Sequence, residues 1–192
     1  WQAKNPKAHF YLGEIAMGRP NPDPEKTPVF PDANYEEAVI HHEESLLLGI
    51  EEDAKLHAKD LERAARARWM LGNYEKAVQH YLRKIELYPN ESFFSRYWVA
   101  MHYFGRDNKP EESLEILLKA PEYASTPLEK TYLFRVYNII ARLYTYFKDA
   151  ENAEKYARMS IESTFEGNRD LDAQVAHVLL GQAAGIKGDF VL

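Results

Sequence analysis

Cysteine is absent from this sequence, and with it every disulfide framework and every thiolate metal site. Long apolar runs are absent too. None approaches the roughly 18 residues that a membrane-spanning helix needs, and no secretory leader pattern opens the chain. Positive charge is in deficit: 24 Lys and Arg face 30 Asp and Glu, a net charge of −6, which is the wrong sign for a phosphate-binding face. The sequence carries no glycine-rich phosphate loop, Gly-x-Ser-x-Gly elbow, kinase signature or His-Glu-x-x-His pair. Together these gaps point away from nucleic acid, membrane and cofactor chemistry. The expectation is a non-catalytic, cytoplasmic protein.

What the sequence does contain is a recurring helical unit. In residues 71–91, LGNYEKAVQHYLRKIELYPNE, the apolar side chains Tyr74, Ala77, Val78, Tyr81, Leu82 and Ile85 fall at i, i+3, i+4, i+7, i+8 and i+11. That spacing draws one stripe along a helix, with Glu75, Lys76, Gln79, Arg83 and Lys84 on the other side. Gly72-Asn73 turns into the helix and Pro89 stops it. A lone helix of this length is marginal in water, so the stripe must be buried by neighbours.

The same grammar returns at Asn34-Tyr35-Glu36-Glu37-Ala38, at Lys109-Pro110-Glu111-Glu112-Ser113 and at Asp149-Ala150-Glu151-Asn152-Ala153. Aligning Ala38, Ala77, Ser113 and Ala153 gives steps of 39, 36 and 40 residues. Before each turn lies another apolar helix, carrying Leu12-Gly13, Ala64-Ala65, Ala100-Met101, Ile140-Ala141 and Leu180-Gly181 at corresponding places. Each unit therefore reads as a helical hairpin. Small residues recur because two helices cross closely only where neither carries a bulky side chain.

These markers resemble those of the tetratricopeptide repeat (TPR) family, whose period is about 34 residues. Gly72, Tyr74, Ala77, Tyr81 and Pro89 match the second half of that repeat, and Leu12-Gly13 and Leu180-Gly181 match the signature of its first helix. The departures are Met101 at a position for a small residue, Lys84 in place of the second-helix alanine, and a longer spacing. HEAT-type repeats, at about 40–47 residues, are the other reading of that spacing. The resemblance implies an all-α fold: an α-solenoid of about four and a half antiparallel helical hairpins in a right-handed superhelix.

The predicted helices run over about 6–18 and 34–49, 52–71 and 74–88, 91–105 and 109–120, then 127–147 and 149–164. A half-repeat follows over 170–190, its helix at 170–186. The whole chain, 1–192, is read as one repeat domain with a proline-rich insertion over 19–33. That insertion is either a passive excursion or an arm over one end of the array. Thr126 before Pro127 is a candidate cap for the next helix. The chain starts at Trp1 and ends on Gly188-Asp189-Phe190-Val191-Leu192, a turn with no second helix after it, so a fragment of a longer protein is expected.

In TPR arrays the first helix of each hairpin lines a concave groove that holds a peptide. Carried over position by position, the resemblance implies groove residues Phe10, Glu14 and Met17, then Lys59, Glu62, Arg66 and Trp69, then Ser95, Trp98 and His102. Arg135, Asn138, Arg142 and Thr145 follow, with Val178 and Gln182 after them. Trp and Arg are the residue types that dominate binding hot spots, and Arg can grip a carboxylate with two hydrogen bonds. Trp69 and Trp98 could equally fill space between helices.

His41-His42-Glu43-Glu44 invites a metal reading, but adjacent helical residues point about 100° apart and neither histidine has a second ligand one turn on. A polar outer face is the expected role. The expected partner is a protein or peptide, with a second copy of the chain as a further candidate. A weaker resemblance joins Asn5-Pro6-Lys7-Ala8-His9-Phe10-Tyr11-Leu12-Gly13, Asn34 to Ala38 and Tyr132-Leu133-Phe134 to repeats appended to bacterial and phage family-2 glycosyltransferases. It implies an accessory module that positions an acceptor or holds an oligomer.

Overall fold

In a computed structural model, residues 4–18, 33–163 and 169–188 are described, with the backbone alone for 169–173. The proline-rich insertion, apart from Ala33, lies outside the described residues, as do Trp1 and Asp189 to Leu192. The described chain is all-α: ten helices and no strand. By residue contacts it divides into two compact units, Trp1–Trp98 and Val99–Leu192.

The first unit holds α1 (Pro6–Ala16), α2 (Tyr35–Leu47), α3 (Ala54–Met70) and α4 (Tyr74–Leu87). It also contains the beginning of α5 (Phe93–Gly105), the helix in which the boundary falls. Here α1 packs on α2, α2 on α3 and α3 on α4, and α1 also touches α3. In the second unit, α6 (Pro110–Lys119) is followed by α7 (Pro127–Thr131), α8 (Leu133–Tyr146), α9 (Ala150–Glu162) and α10 (Arg169–Lys187). Here α8 packs on α9 and α9 on α10, and α8 also touches α10. The three-helix arrangement α1–α2–α3 is thus repeated by α8–α9–α10.

The starts of these helices follow from their caps. The Asn5, Asn34, Asp53 and Asp149 side chains each accept a backbone N–H three residues on, at 3.1–3.2 Å, which satisfies a donor that the helix itself cannot. Their ends follow from left-handed residues. Gly72, Asn108, Lys148 and Gly188 have φ of 77°, 52°, 62° and 79°, so the hairpin turns recur at steps of 36, 40 and 40 residues. At three of them the next amide reaches back into the helix, Asn73 to the Arg68 carbonyl and Asp149 to the Tyr144 carbonyl, both at 2.9 Å, and Lys109 to the Tyr103 carbonyl at 2.8 Å.

Small residues sit where the helices cross. Ala38, Ala77, Ser113 and Ala153, aligned above by sequence, are all fully buried. So are Ala64, Ala65, Ala100 and Ala141 on the preceding helices. Ser113 meets the cost of a buried hydroxyl by donating to the Ala100 carbonyl at 2.9 Å, and Ser160 does the same to Phe134 at 3.0 Å. Lys84, the departure from alanine, is buried along its stem and pairs its ammonium with Glu62.

One predicted helix is interrupted. The span 127–147 is α7 and α8 with a break at Tyr132, and α7 starts on its own capping box, Thr126 with Glu129. The His41-His42 reading needs a larger correction. His42 is not on an outer face; it is fully buried, with Nδ1 2.5 Å from the equally buried Asp60 carboxylate on α3. Gly13 on α1 makes room for it, since a Cβ there would stand 2.6 Å from the imidazole.

Candidate interaction surface

In the first unit, α1, α3 and the beginning of α5 share one face. Along α3 the residues Lys59, Glu62, Arg66 and Trp69 fall at i, i+3, i+7 and i+10, which is a single helical stripe. Glu14 on α1 accepts from Lys59 at 2.8 Å and pairs with Arg63 at 2.7 Å. Burial opposes the Glu14 charge, but the Lys59 hydrogen bond and the Arg63 and Lys59 charges outweigh it. The carboxyl is held below its ordinary range. The Lys59 ammonium also lies 5.3 Å above the Phe10 ring.

At the other end of the stripe the rings of Trp69 and Trp98 lie 4.9 Å apart, tilted by 53°. Tyr74 sets its edge against Trp69 at 5.0 Å, and Tyr97 does so against Trp98 at 5.3 Å. Both indoles are half-buried, so part of each stays open to solvent while the rest is fixed by aromatic neighbours. The face therefore runs from an ion cluster to an aromatic pair, with Glu62 and Arg66 between.

In the second unit, Thr145 on α8 and Gln182 on α10 come together. With Lys148, Gly185 and Ile186 they line an open cleft of about 680 Å³. Thr145 donates its hydroxyl to the Ala141 carbonyl at 2.9 Å. Arg142 and Val178 are exposed. The Arg135 guanidinium lies over the Tyr132 and Phe134 rings, at 5.1 and 5.5 Å.

Five of the expected groove residues are interior. Phe10 packs beneath His42, and Met17 joins Ala16, Ala38, Val39 and Ala67 in a small core cluster. Ser95, His102 and Asn138 are also buried, and His102 pairs with Asp107 at 3.1 Å. Reading by repeat position misses Arg63, because its role depends on Glu14, a residue 49 positions earlier on another helix.

A second charged cluster lies on α2, α3 and α4. Arg68 donates to both Glu43 oxygens, at 2.7 and 2.5 Å, and His80 reaches the same carboxylate at 3.3 Å. Burial works against the Glu43 charge, yet Arg68 and His80 hold its carboxyl below the ordinary range. His80 is pushed down in turn, chiefly by burial. Among the described residues no three His, Asp or Glu side chains converge as metal ligands would, and no helix is long and apolar enough to cross a membrane. No protein-family model matches the chain, and neither does any characterised protein sequence.

Proposed function

We propose that this protein is a TPR-like interaction module with no catalytic role, and that the face formed by α1, α3 and the beginning of α5 binds a peptide or a partner subunit. The observation that carries this reading is the Trp69–Trp98 pair. Two large rings 4.9 Å apart are braced by Tyr74 and Tyr97 yet remain partly open. Rigid aromatic anchors of this kind dominate binding energy in known interfaces. The Glu14–Lys59–Arg63 cluster beside them supplies polar groups already fixed in place, so little ordering entropy is lost on binding.

Peptides selected on the immobilised protein should perturb its tryptophan fluorescence. Trp98→Ala should weaken their binding by about tenfold or more, as expected for a hot-spot residue, and Trp98→Phe should weaken it less. Circular dichroism should show unchanged helicity in both variants. Equal binding by wild type and Trp98→Ala would remove this face as the site.

A further inference from the structure

We propose that the first unit carries a second docking surface, a groove between α2 and the α3–α4 turn that takes a cationic amphipathic helix from a partner. The buried side of α2 is formed by Ala38, Val39, His42 and Ser45. The opposite side of a peripheral helix is ordinarily polar. Here it presents Ile40 and Leu47, which are 66% and 81% exposed. They stand seven residues apart, about 10.5 Å along the helix axis, and therefore share one stripe. Across from them Leu71 at the end of α3 is 37% exposed. The three line an open cleft of about 610 Å³. An exposed apolar groove of this kind is what helix-in-groove recognition uses, with anchors on the incoming helix at i, i+3 or i+4, and i+7.

Charge selects the occupant. Among the described residues the one guanidinium lining the cleft, Arg68, is committed to both oxygens of Glu43. Glu36 and Glu44 add two more carboxylates at the rim, so the groove is negative in a chain whose net charge is already −6. Lysine or arginine on the flanks of the incoming helix would complement that rim and steer its approach. The same sign repels an acidic peptide, a nucleic acid or an anionic lipid surface. It also disfavours a second copy of this chain, because a two-fold contact sets a surface against itself and would oppose Glu36 and Glu44 to their own equivalents.

The probe is a fluorescein-labelled synthetic helix with leucines at i, i+4 and i+7 and lysines on both flanks, together with a twin in which glutamate replaces every lysine. Binding is followed by fluorescence anisotropy. The wild-type protein should bind the lysine peptide saturably, and raising the salt should weaken that binding. Leu47→Lys should weaken it by about tenfold or more; the position is exposed enough to leave the fold intact, which circular dichroism checks. Trp98→Ala, on the other face, should bind the lysine peptide like wild type. The proposal is overturned if Leu47→Lys binds as well as wild type, or if the glutamate twin binds equally. Loss in Trp98→Ala alone would place the peptide on the aromatic face instead. A wild-type dimer in light scattering that Leu47→Lys dissolves would make the groove a self-association surface.

Discussion

At the scale of single residues, two Leu-Gly pairs that read alike in sequence have opposite physical roles. Gly13 faces the His42 imidazole so closely that an added Cβ would lie 2.6 Å from two of its ring atoms. The ring cannot retreat, being fully buried and tied to Asp60 at 2.5 Å. Gly13→Ala should therefore lower stability by about 1–3 kcal/mol, the usual cost of overpacking, measured by urea unfolding. At Gly181 no described atom lies within 4 Å of the added carbon, and the backbone is helical. Gly181→Ala should be neutral or raise stability by up to about 1 kcal/mol. A stabilised Gly13→Ala variant would show that the close approach to His42 is not a constraint. The sequence signature marks where a small residue is tolerated; which atom needs the space is decided by a histidine 29 positions away. The buried His42–Asp60 pair was illegible for the same reason, since the spacing of 18 residues between its members has no local pattern.

Among elements, the short helices and the joins between them carry the structure's polar detail. The α7 start is held reciprocally. The Glu129 amide donates to the Thr126 hydroxyl at 3.2 Å, while the Glu129 carboxylate accepts from the Thr126 and Ser125 amides at 2.8 and 3.0 Å. Thr126→Ala should lower stability by about 1 kcal/mol, read as a shift of the unfolding midpoint with an unchanged denaturant slope. The helix spans themselves were legible: the stripe at 74–88 is α4 over Tyr74–Leu87, and Thr126 caps the following helix as its position before Pro127 suggests. The break at Tyr132 was not, because an apolar pattern that runs on through Tyr132, Leu133 and Phe134 gives no stop signal.

The same joins give the molecule an acid response. His57 on α3 pairs with the Tyr88 hydroxyl at 2.9 Å, and burial pushes its pKa below the ordinary 6.5, as it does for His80 on α4. Unfolding restores the ordinary value, so the unfolded chain binds protons more readily than the folded one. Stability is then full above about pH 6.5 and falls as acidification proceeds through the lower folded values. The depressed Glu14 and Glu43 carboxyls extend the decline below 4.5. Thermal midpoints should be level between about pH 7 and pH 9 and drop below pH 6.5, and His57→Gln together with His80→Gln should flatten the first part of that drop. A double variant with the wild-type profile between pH 6.5 and 5 would assign the response elsewhere.

For the whole molecule, what matters is how two compact units share one chain. The boundary between Trp98 and Val99 falls inside α5, which runs without interruption from Phe93 to Gly105. Nothing in the apolar run Tyr97-Trp98-Val99-Ala100-Met101 marks a division, which is why the sequence reads as one continuous array. A helix that belongs to both units should couple their unfolding, because melting one end removes turns that the other end needs. All three tryptophans of the chain, at positions 1, 69 and 98, precede the boundary. Tryptophan fluorescence therefore reports the first unit, whereas far-UV circular dichroism reports helices in both. In urea the two signals should trace one coincident transition. Met101→Pro, three residues beyond the boundary, should break that coupling, since a proline inside a helix removes a hydrogen bond and costs about 3 kcal/mol. The dichroism midpoint of the variant should then fall well below the fluorescence midpoint. Coincident curves in Met101→Pro, or separate curves in the wild type, would show that α5 is not what joins the two.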